Sequence, residues 1–172
     1  MEKILITGAS SGIGEELARN LAGRSRKMYL LARSEDKLNL LKKELEEKNS
    51  LLECICIKYD LTDTVNLESI TENCDVDLVI NCAGVGKITD FLKLSDEEDL
   101  NTINVNFISP LILTKKFSEK FLQAGKEIIL NVCSTAALYQ HPYMAIYSSV
   151  KSALLHIILW HWMRNCRIKI KM

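Results

Sequence analysis

A chain of 172 residues, 48% hydrophobic and 26% charged, is long enough to bury a sizeable core and too apolar to stay disordered; only 7 glycines exclude a collagenous chain. The 22 basic side chains balance 22 acidic ones, so net charge gives no electrostatic reason to expect nucleic acid or an anionic membrane surface as partner. The six cysteines (Cys54, Cys56, Cys74, Cys82, Cys133 and Cys166) form no CxxC pair and no zinc spacing, and most lie in apolar runs, so they read as buried free thiols. The N-terminal MEKILITG enters a strand-like run with no secretory h-region, and the apolar stretch ALLHIILWHWM is too short to span a bilayer. The expected setting is therefore soluble and cytoplasmic, with no membrane partner.

Strand-like and helix-like segments then alternate along the chain. Lys3–Thr7 is a short β-branched run closed by glycine, the pattern of a strand buried on both faces. Gly12–Ala22 sets Ile13, Leu17 and Leu21 at helical spacing. Lys27–Ala32 predicts a second strand, and Ser34 the N-cap of a helix over Glu35–Lys48 with Glu35 and Asp36 in its acidic first turn. Leu51–Tyr59 is the third expected strand, Asp63–Glu72 a short helix and Asp77–Asn81 the fourth strand, followed by a glycine-containing loop over Gly84–Asp90. Ser95 and Glu98 spell a capping box, opening a helix that runs to about Ala124, with Pro110 bending or interrupting it. Glu127–Cys133 predicts a fifth strand, Met144–Asn165 a fifth helix, and Arg167–Met172 the start of a sixth strand in which the chain ends. This alternation implies right-handed crossovers and a parallel sheet covered on both faces, an α/β doubly wound fold in one domain over residues 1–172.

Open parallel sheets bind ligands beyond the carboxyl ends of their strands. The noteworthy residues fall there: Gly8 after the first strand, Arg33 after the second, Asp60 after the third, Asn81 and Gly84 after the fourth, and Ser134 after the fifth. The first turn, Thr7-Gly8-Ala9-Ser10-Ser11-Gly12-Ile13-Gly14, holds three of the 7 glycines, which let the backbone approach a pyrophosphate at the next helix N-terminus. Its GxxxGxG spacing differs from GxGxxG and lacks the GK[ST] of a P-loop. Arg33 argues for a 2′-phosphate and NADP by charge-assisted hydrogen bonding, while the acids Glu35 and Asp36 next to it would argue for NAD. Tyr147 and Lys151 stand four apart on one helix face, where an ammonium lowers a phenol's pKa towards the range of a general acid. Ser134 stands 13 residues before Tyr147, placing a hydroxyl where the same substrate oxygen would lie.

In this order and spacing the features resemble the short-chain dehydrogenase/reductase family, from Ile4 to Lys151. TGASSGIG matches its cofactor loop, which implies that Gly8, Ser10, Ser11, Gly12, Ile13 and Gly14 hold the dinucleotide. Asp60 matches the acid that bonds the adenine ring. Asn81-Cys82-Ala83-Gly84 matches NNAG with cysteine in the second place, implying cofactor contacts for Asn81, Ala83 and Gly84. Asn106 fits the helix asparagine of a catalytic tetrad by its 28-residue spacing to Ser134, with Asn104 as competitor; Ser134, Tyr147 and Lys151 complete the tetrad. The resemblance implies NADP(H) as preferred cofactor with NAD(H) as alternative, and hydride transfer to or from a small-molecule carbonyl or alcohol. In it Tyr147 acts as general acid, Ser134 orients the oxygen and Lys151 holds the nicotinamide ribose. Asn106 would hold a water that links Lys151 to solvent.

The helix from Met144 is apolar nearly all round, and with the long helix before it implies a homodimer or homotetramer, as in relatives. His141, His156 and His161 lack the i, i+4 spacing of a helical metal pair, so no metal is expected, and Cys133 reads as a core thiol. The resemblance also implies a Pro-Gly turn, a substrate-binding segment and a final strand after residue 172. The other reading is a truncated module that binds dinucleotide, or dimerises, without turnover.

Overall fold

Five short strands, Lys3–Thr7 (β1), Lys27–Ala32 (β2), Glu53–Lys58 (β3), Leu78–Asn81 (β4) and Ile128–Asn131 (β5), form one parallel sheet in the order β3-β2-β1-β4-β5. The computed structural model describes residues 2–124, 128–139 and 141–162. Among these residues six α-helices connect or flank the strands: Gly12–Leu21 (α1), Glu35–Lys48 (α2), Leu67–Asn73 (α3), Asp96–Ile103 (α4), Ser109–Ala124 (α5) and Ala145–Trp162 (α6). The register runs Ile4↔Met28 and Ile4↔Leu78, so the ends of β1, β2 and β4 stand level with one another. Strand order reverses between β1 and β4, which opens a crevice above the carboxyl end of β1.

Successive β1 side chains enter opposite faces, as a pleated strand requires. Ile4 and Ile6 pack with Met28 and Leu30 against Ala18 of α1 and Leu38, Leu41 and Leu45 of α2. Leu5 packs on the other face with Leu31 and Val79, against Leu67 and Ile70 of α3 and Leu113 and Phe117 of α5. All three β1 residues are buried. Each such side chain contributes roughly 1.5–3 kcal/mol by leaving water, so the central strand is held from both layers.

Several boundaries differ from the sequence reading. The third strand begins at Glu53 rather than Leu51, and the first helix ends at Leu21 before a tight 3₁₀ turn through Arg24. The helix expected at Asp63 starts at Leu67, because the Asp63 carboxylate accepts from the Val65 amide (3.1 Å) and the Asn66 side chain (2.8 Å). That local turn competes with helix formation. Ser95 (φ −78°, ψ 157°) caps α4 as expected, with Glu98 N donating to its Oγ and Ser95 N to the Glu98 carboxylate. Ser34 precedes α2 with ψ 96°, and its hydroxyl takes no helix amide. Residue type alone does not make a cap.

The expected long helix is interrupted before Pro110, not at it. Residues Asn104–Ile108 form a π turn between α4 and α5. Pro110 brings no amide to the ladder and its ring crowds the carbonyl four residues back, that of Asn106, so the disruption falls in the preceding turn. Glu127, Cys166 and the expected strand Arg167–Met172 lie outside the described residues. Among the described residues no helix is long and apolar enough to cross a membrane.

Arg19 of α1 reaches across to Glu44 of α2 with its Nε and Nη2 groups (3.1–3.2 Å), and Lys48 also bonds Glu44. Arg19 and then Lys48 hold the Glu44 carboxyl at about 2, below its ordinary 4.5. A depressed folded-state pKa stabilises the fold above the unfolded value and loses that stabilisation as pH falls through the folded one. Thermal unfolding of Glu44→Gln against pH should therefore show a Tm deficit that is full above pH 4.5 and vanishes towards pH 2. An equal deficit at every pH would contradict it.

Candidate active site

The chain turns sharply where β1 ends. Gly8 has φ +72° and Gly12 φ +58°, in the left-handed region that glycine reaches without strain. A Cβ on Gly8 would stand 2.8 Å from Ala83 Cα, and one on Gly14 would stand 2.4 Å from the Gly8 carbonyl oxygen. Both positions exclude a side chain because backbone lies directly against backbone. Thr7 Oγ1 accepts from the amides of Cys82 (3.0 Å) and Ala83 (3.1 Å), drawing the end of β4 onto the end of β1. Ser11, extended ahead of α1, makes no side-chain cap bond, which leaves the first amides of α1 for another acceptor.

This turn floors one end of a cleft of about 850 Å³ that runs across the carboxyl ends of the strands. Gly8, Ser10, Ser11, Gly12, Ile13 and Gly14 line that end, with Ala83 and Gly84 opposite. Arg33, Ser34, Lys37 and Asp60 line the side beyond β2 and β3. Glu35 does not line it; its carboxylate pairs with Lys58 of β3 at 3.3 Å. Asp60 Oδ1 accepts from the Thr62 amide at 3.0 Å, which fixes the carboxylate at the cleft rim.

The other end gathers the expected tetrad. Asn106, in the π turn, is fully buried, and its Nδ2 donates to the carbonyls of Val85 (2.6 Å) and Thr102 (2.9 Å). Its Oδ1 has no partner and faces Gly84, where a Cβ would lie 3.0 Å from that oxygen and 3.7 Å from Lys151 Nζ. Lys151 is 4% exposed, and its ammonium donates to the Val132 carbonyl at 3.2 Å. Burial pushes its pKa below the ordinary lysine value, with the Cys133 and Cys82 thiols opposing that shift. Lys151 Nζ stands 5.8 Å from the Tyr147 ring centre, one helical turn away on α6. Ser134 Oγ accepts from the Ala136 amide (3.1 Å) at the head of a 3₁₀ turn, Thr135–Ala137, leaving its proton free to donate. Ser134, Tyr147 and Lys151 all line the cleft. Asn104, the competitor of Asn106, instead directs Nδ2 to the Thr62 carbonyl at 3.4 Å.

One expected cofactor residue is placed differently. Asn81 is buried, its Nδ2 donating to Asn131 Oδ1 (2.8 Å) and Thr114 Oγ1 (3.2 Å), and it does not line the cleft. It ties β4 to β5 and to α5. Cys82 does line the cleft, half-buried, with burial pushing its thiol up. Cys133 is likewise a half-buried wall residue just past β5 rather than a core thiol, its Sγ donating to the Lys151 carbonyl at 3.4 Å. Sequence reasoning missed Lys37, although it lies four residues beyond Arg33. It also missed His141 at the cleft mouth, for which no spacing rule gives a signal.

The family model for short chain dehydrogenases matches residues 2–162. An uncharacterized oxidoreductase of Staphylococcus haemolyticus is 34% identical over 161 residues, 89% of this chain and 67% of its own. A very-long-chain 3-oxoacyl-CoA reductase of Neurospora crassa is 31% identical over 159 residues, 88% of this chain, but this chain spans only 48% of that relative. Among solved structures, a short-chain dehydrogenase from Sphingobium yanoikuyae in complex with NADPH superposes with a TM-score of 0.89 at 26% identity, over 95% of this chain and 65% of that one. The doubly wound sheet, the glycine turn above β1 and the match over residues 2–162 agree: the chain belongs to the short-chain dehydrogenase family.

Proposed function

We propose that the chain carries the cofactor-binding and proton-transfer machinery of an NADP(H)-dependent oxidoreductase that interconverts a small-molecule carbonyl and its alcohol. The observation that carries this reading is the continuity of one cleft from the glycine turn to Tyr147, Lys151 and Ser134, with buried Asn106 behind Gly84. The residues present fit a dinucleotide: glycines whose Cβ positions are filled by backbone, uncapped amides at the start of α1, and Arg33 with Lys37 at the far end. Gly8 to Gly14 would hold the pyrophosphate, Asp60 the adenine side, and Arg33 with Lys37 a 2′-phosphate. The pairing of Glu35 with Lys58 supports NADP over NAD, since it occupies one of the two acids that the sequence left in competition with Arg33, and the other, Asp36, does not line the cleft. The Sphingobium structure, which holds NADPH, supports the same choice.

When bound, the nicotinamide supplies or accepts the hydride. Tyr147 gives the proton to the carbonyl oxygen in the reductive direction, with the Lys151 ammonium 5.8 Å from its ring centre. Ser134, its acceptor side engaged by the Ala136 amide, donates to the same substrate oxygen and orients it. Asn106 Oδ1 and Lys151 Nζ, both bordering Gly84, provide the polar partners of a bridging water through which Tyr147 is reprotonated. The names of relatives that reduce 3-oxoacyl groups support a carbonyl substrate. Self-association through the long helices and a cytoplasmic setting belong to the same family-based reading.

Two measurements test this. NADPH consumption over a panel of ketones and aldehydes should fall about 10²- to 10⁴-fold in Tyr147→Phe, with NADPH binding retained. Tight NADPH binding with no Tyr147-dependent turnover would replace the enzyme by a dinucleotide-binding module. In fluorescence titrations, Arg33→Ala should weaken NADPH binding about tenfold or more and leave NADH almost unchanged. Lys58→Ala, which frees Glu35 from an exposed pair, should narrow the preference only a few-fold. Equal affinities for the two cofactors, indifferent to both substitutions, would overturn the NADP assignment.

A further inference from the structure

The loop after β4 presents two glycines to the catalytic groups, and only the first belongs to the motif read from the sequence. An added Cβ at Gly86 would stand 2.7 Å from Tyr147 Cδ2, 3.2 Å from Cγ and 3.3 Å from Cε2. The residue 86 backbone therefore lies along one edge of the phenol ring with no room for a methyl group. Gly86 is not in the left-handed region, so backbone conformation does not require glycine there. The three atoms nearest that Cβ position all belong to the Tyr147 ring.

The loop has no freedom to withdraw. Val85 is pinned by Asn106 Nδ2 on its carbonyl at 2.6 Å, next to Gly84, where an added Cβ would lie 3.0 Å from Asn106 Oδ1. Three residues further on, the Thr89 amide donates to the Tyr143 carbonyl at 2.9 Å. Tyr143 itself, at φ 65°, holds a left-handed turn just before α6 begins. The segment Gly84–Thr89 is thus fastened to the π turn at one end and to the entry of the Tyr147 helix at the other. A side chain at 86 must be accommodated by moving the ring, and the ring is what sets the phenol oxygen relative to Ser134 and Lys151.

We infer that Gly86 is a positioning residue, the surface against which the general acid Tyr147 is set, an inference that rests on the reading of Tyr147 as proton donor. Gly86 lines the same cleft at its Tyr147 end, so Gly86→Ala displaces the ring while the glycine turn, Arg33 and Lys37 that would hold the phosphates keep their own side chains. A displacement of the order of 1 Å in a reacting group lowers turnover by about tenfold to a hundredfold.

The test has two arms. In steady-state kinetics with NADPH, Gly86→Ala should lower kcat by about tenfold or more while KM for NADPH stays within about twofold. Wild-type turnover that depends on Tyr147 but is matched by Gly86→Ala would overturn this inference and leave the proposed function standing; turnover indifferent to Tyr147→Phe would overturn the function itself. The second arm needs no turnover. Thermal unfolding of Gly86→Ala should show a Tm loss of roughly 3–10 °C in the Tyr147 background and almost none in Tyr147→Ala, where the ring is gone. An equal loss in both backgrounds would show that the methyl group meets something other than Tyr147 and would refute the assignment, even if Gly86→Ala alone is too unstable for kinetics.

Discussion

The site depends on how closely two strand ends approach at the reversal of the sheet. Thr7 Oγ1 gathers the amides of Cys82 and Ala83, and Gly8 meets Ala83 with no space for a side chain. Neither contact contributes much net energy by itself, since a hydrogen bond is worth about 1 kcal/mol after exchange with water. Their effect is geometric. They bring the loop that follows β4 alongside the turn that follows β1, so the glycine turn and the Gly84–Gly86 segment line one cleft.

The second constraint is a buried lysine. Lys151 is desolvated, and its partner within hydrogen-bond reach is the Val132 carbonyl, with no carboxylate beside it. An uncompensated charge costs free energy, which is why its pKa falls. That cost is borne at the cleft, where the ammonium stands 5.8 Å from the Tyr147 ring centre. Behind it, the Asn81–Asn131–Thr114 cluster joins β4, β5 and α5 from within the sheet, so the strand ends that deliver Gly84 and Ser134 are held at a set spacing.

Much of this was legible in the sequence, and the failures have physical causes. The β-branched runs marked the central strands because both faces are covered, and the glycine turn was legible because only glycine fits two left-handed positions in five residues. Tyr147, Lys151 and Ser134 could be placed on one site because each follows or faces a strand end. Asn81 shows where the sequence runs out: a polar residue at a strand end can point along the sheet, as Asn81 does towards Asn131 and Thr114, as well as out of it, and only three-dimensional neighbours decide. Ser34 and Ser95 were both expected as caps, but only Ser95 has a glutamate three residues on to close a box, and only Ser95 accepts a helix amide. Gly86 carried no signal, since the group that excludes its side chain lies 61 positions away in the chain.

The π turn at Asn104–Ile108 places Asn106, and it also separates the duties of the two helices it joins. Each extra residue in a turn rotates the next helix by about 100° relative to an unbroken α-helix. α4 ahead of the turn buries none of its residues, whereas α5 behind it seats Leu113 and Phe117 wholly in the core. The turn acts as a phase shifter: it offsets the face of α5 that packs on the sheet from the line of α4, and buried Asn106 sits at the offset. α4 reaches the site through that residue, since its Thr102 carbonyl accepts from Asn106 Nδ2, so a substitution that shifts the end of α4 is felt at Asn106.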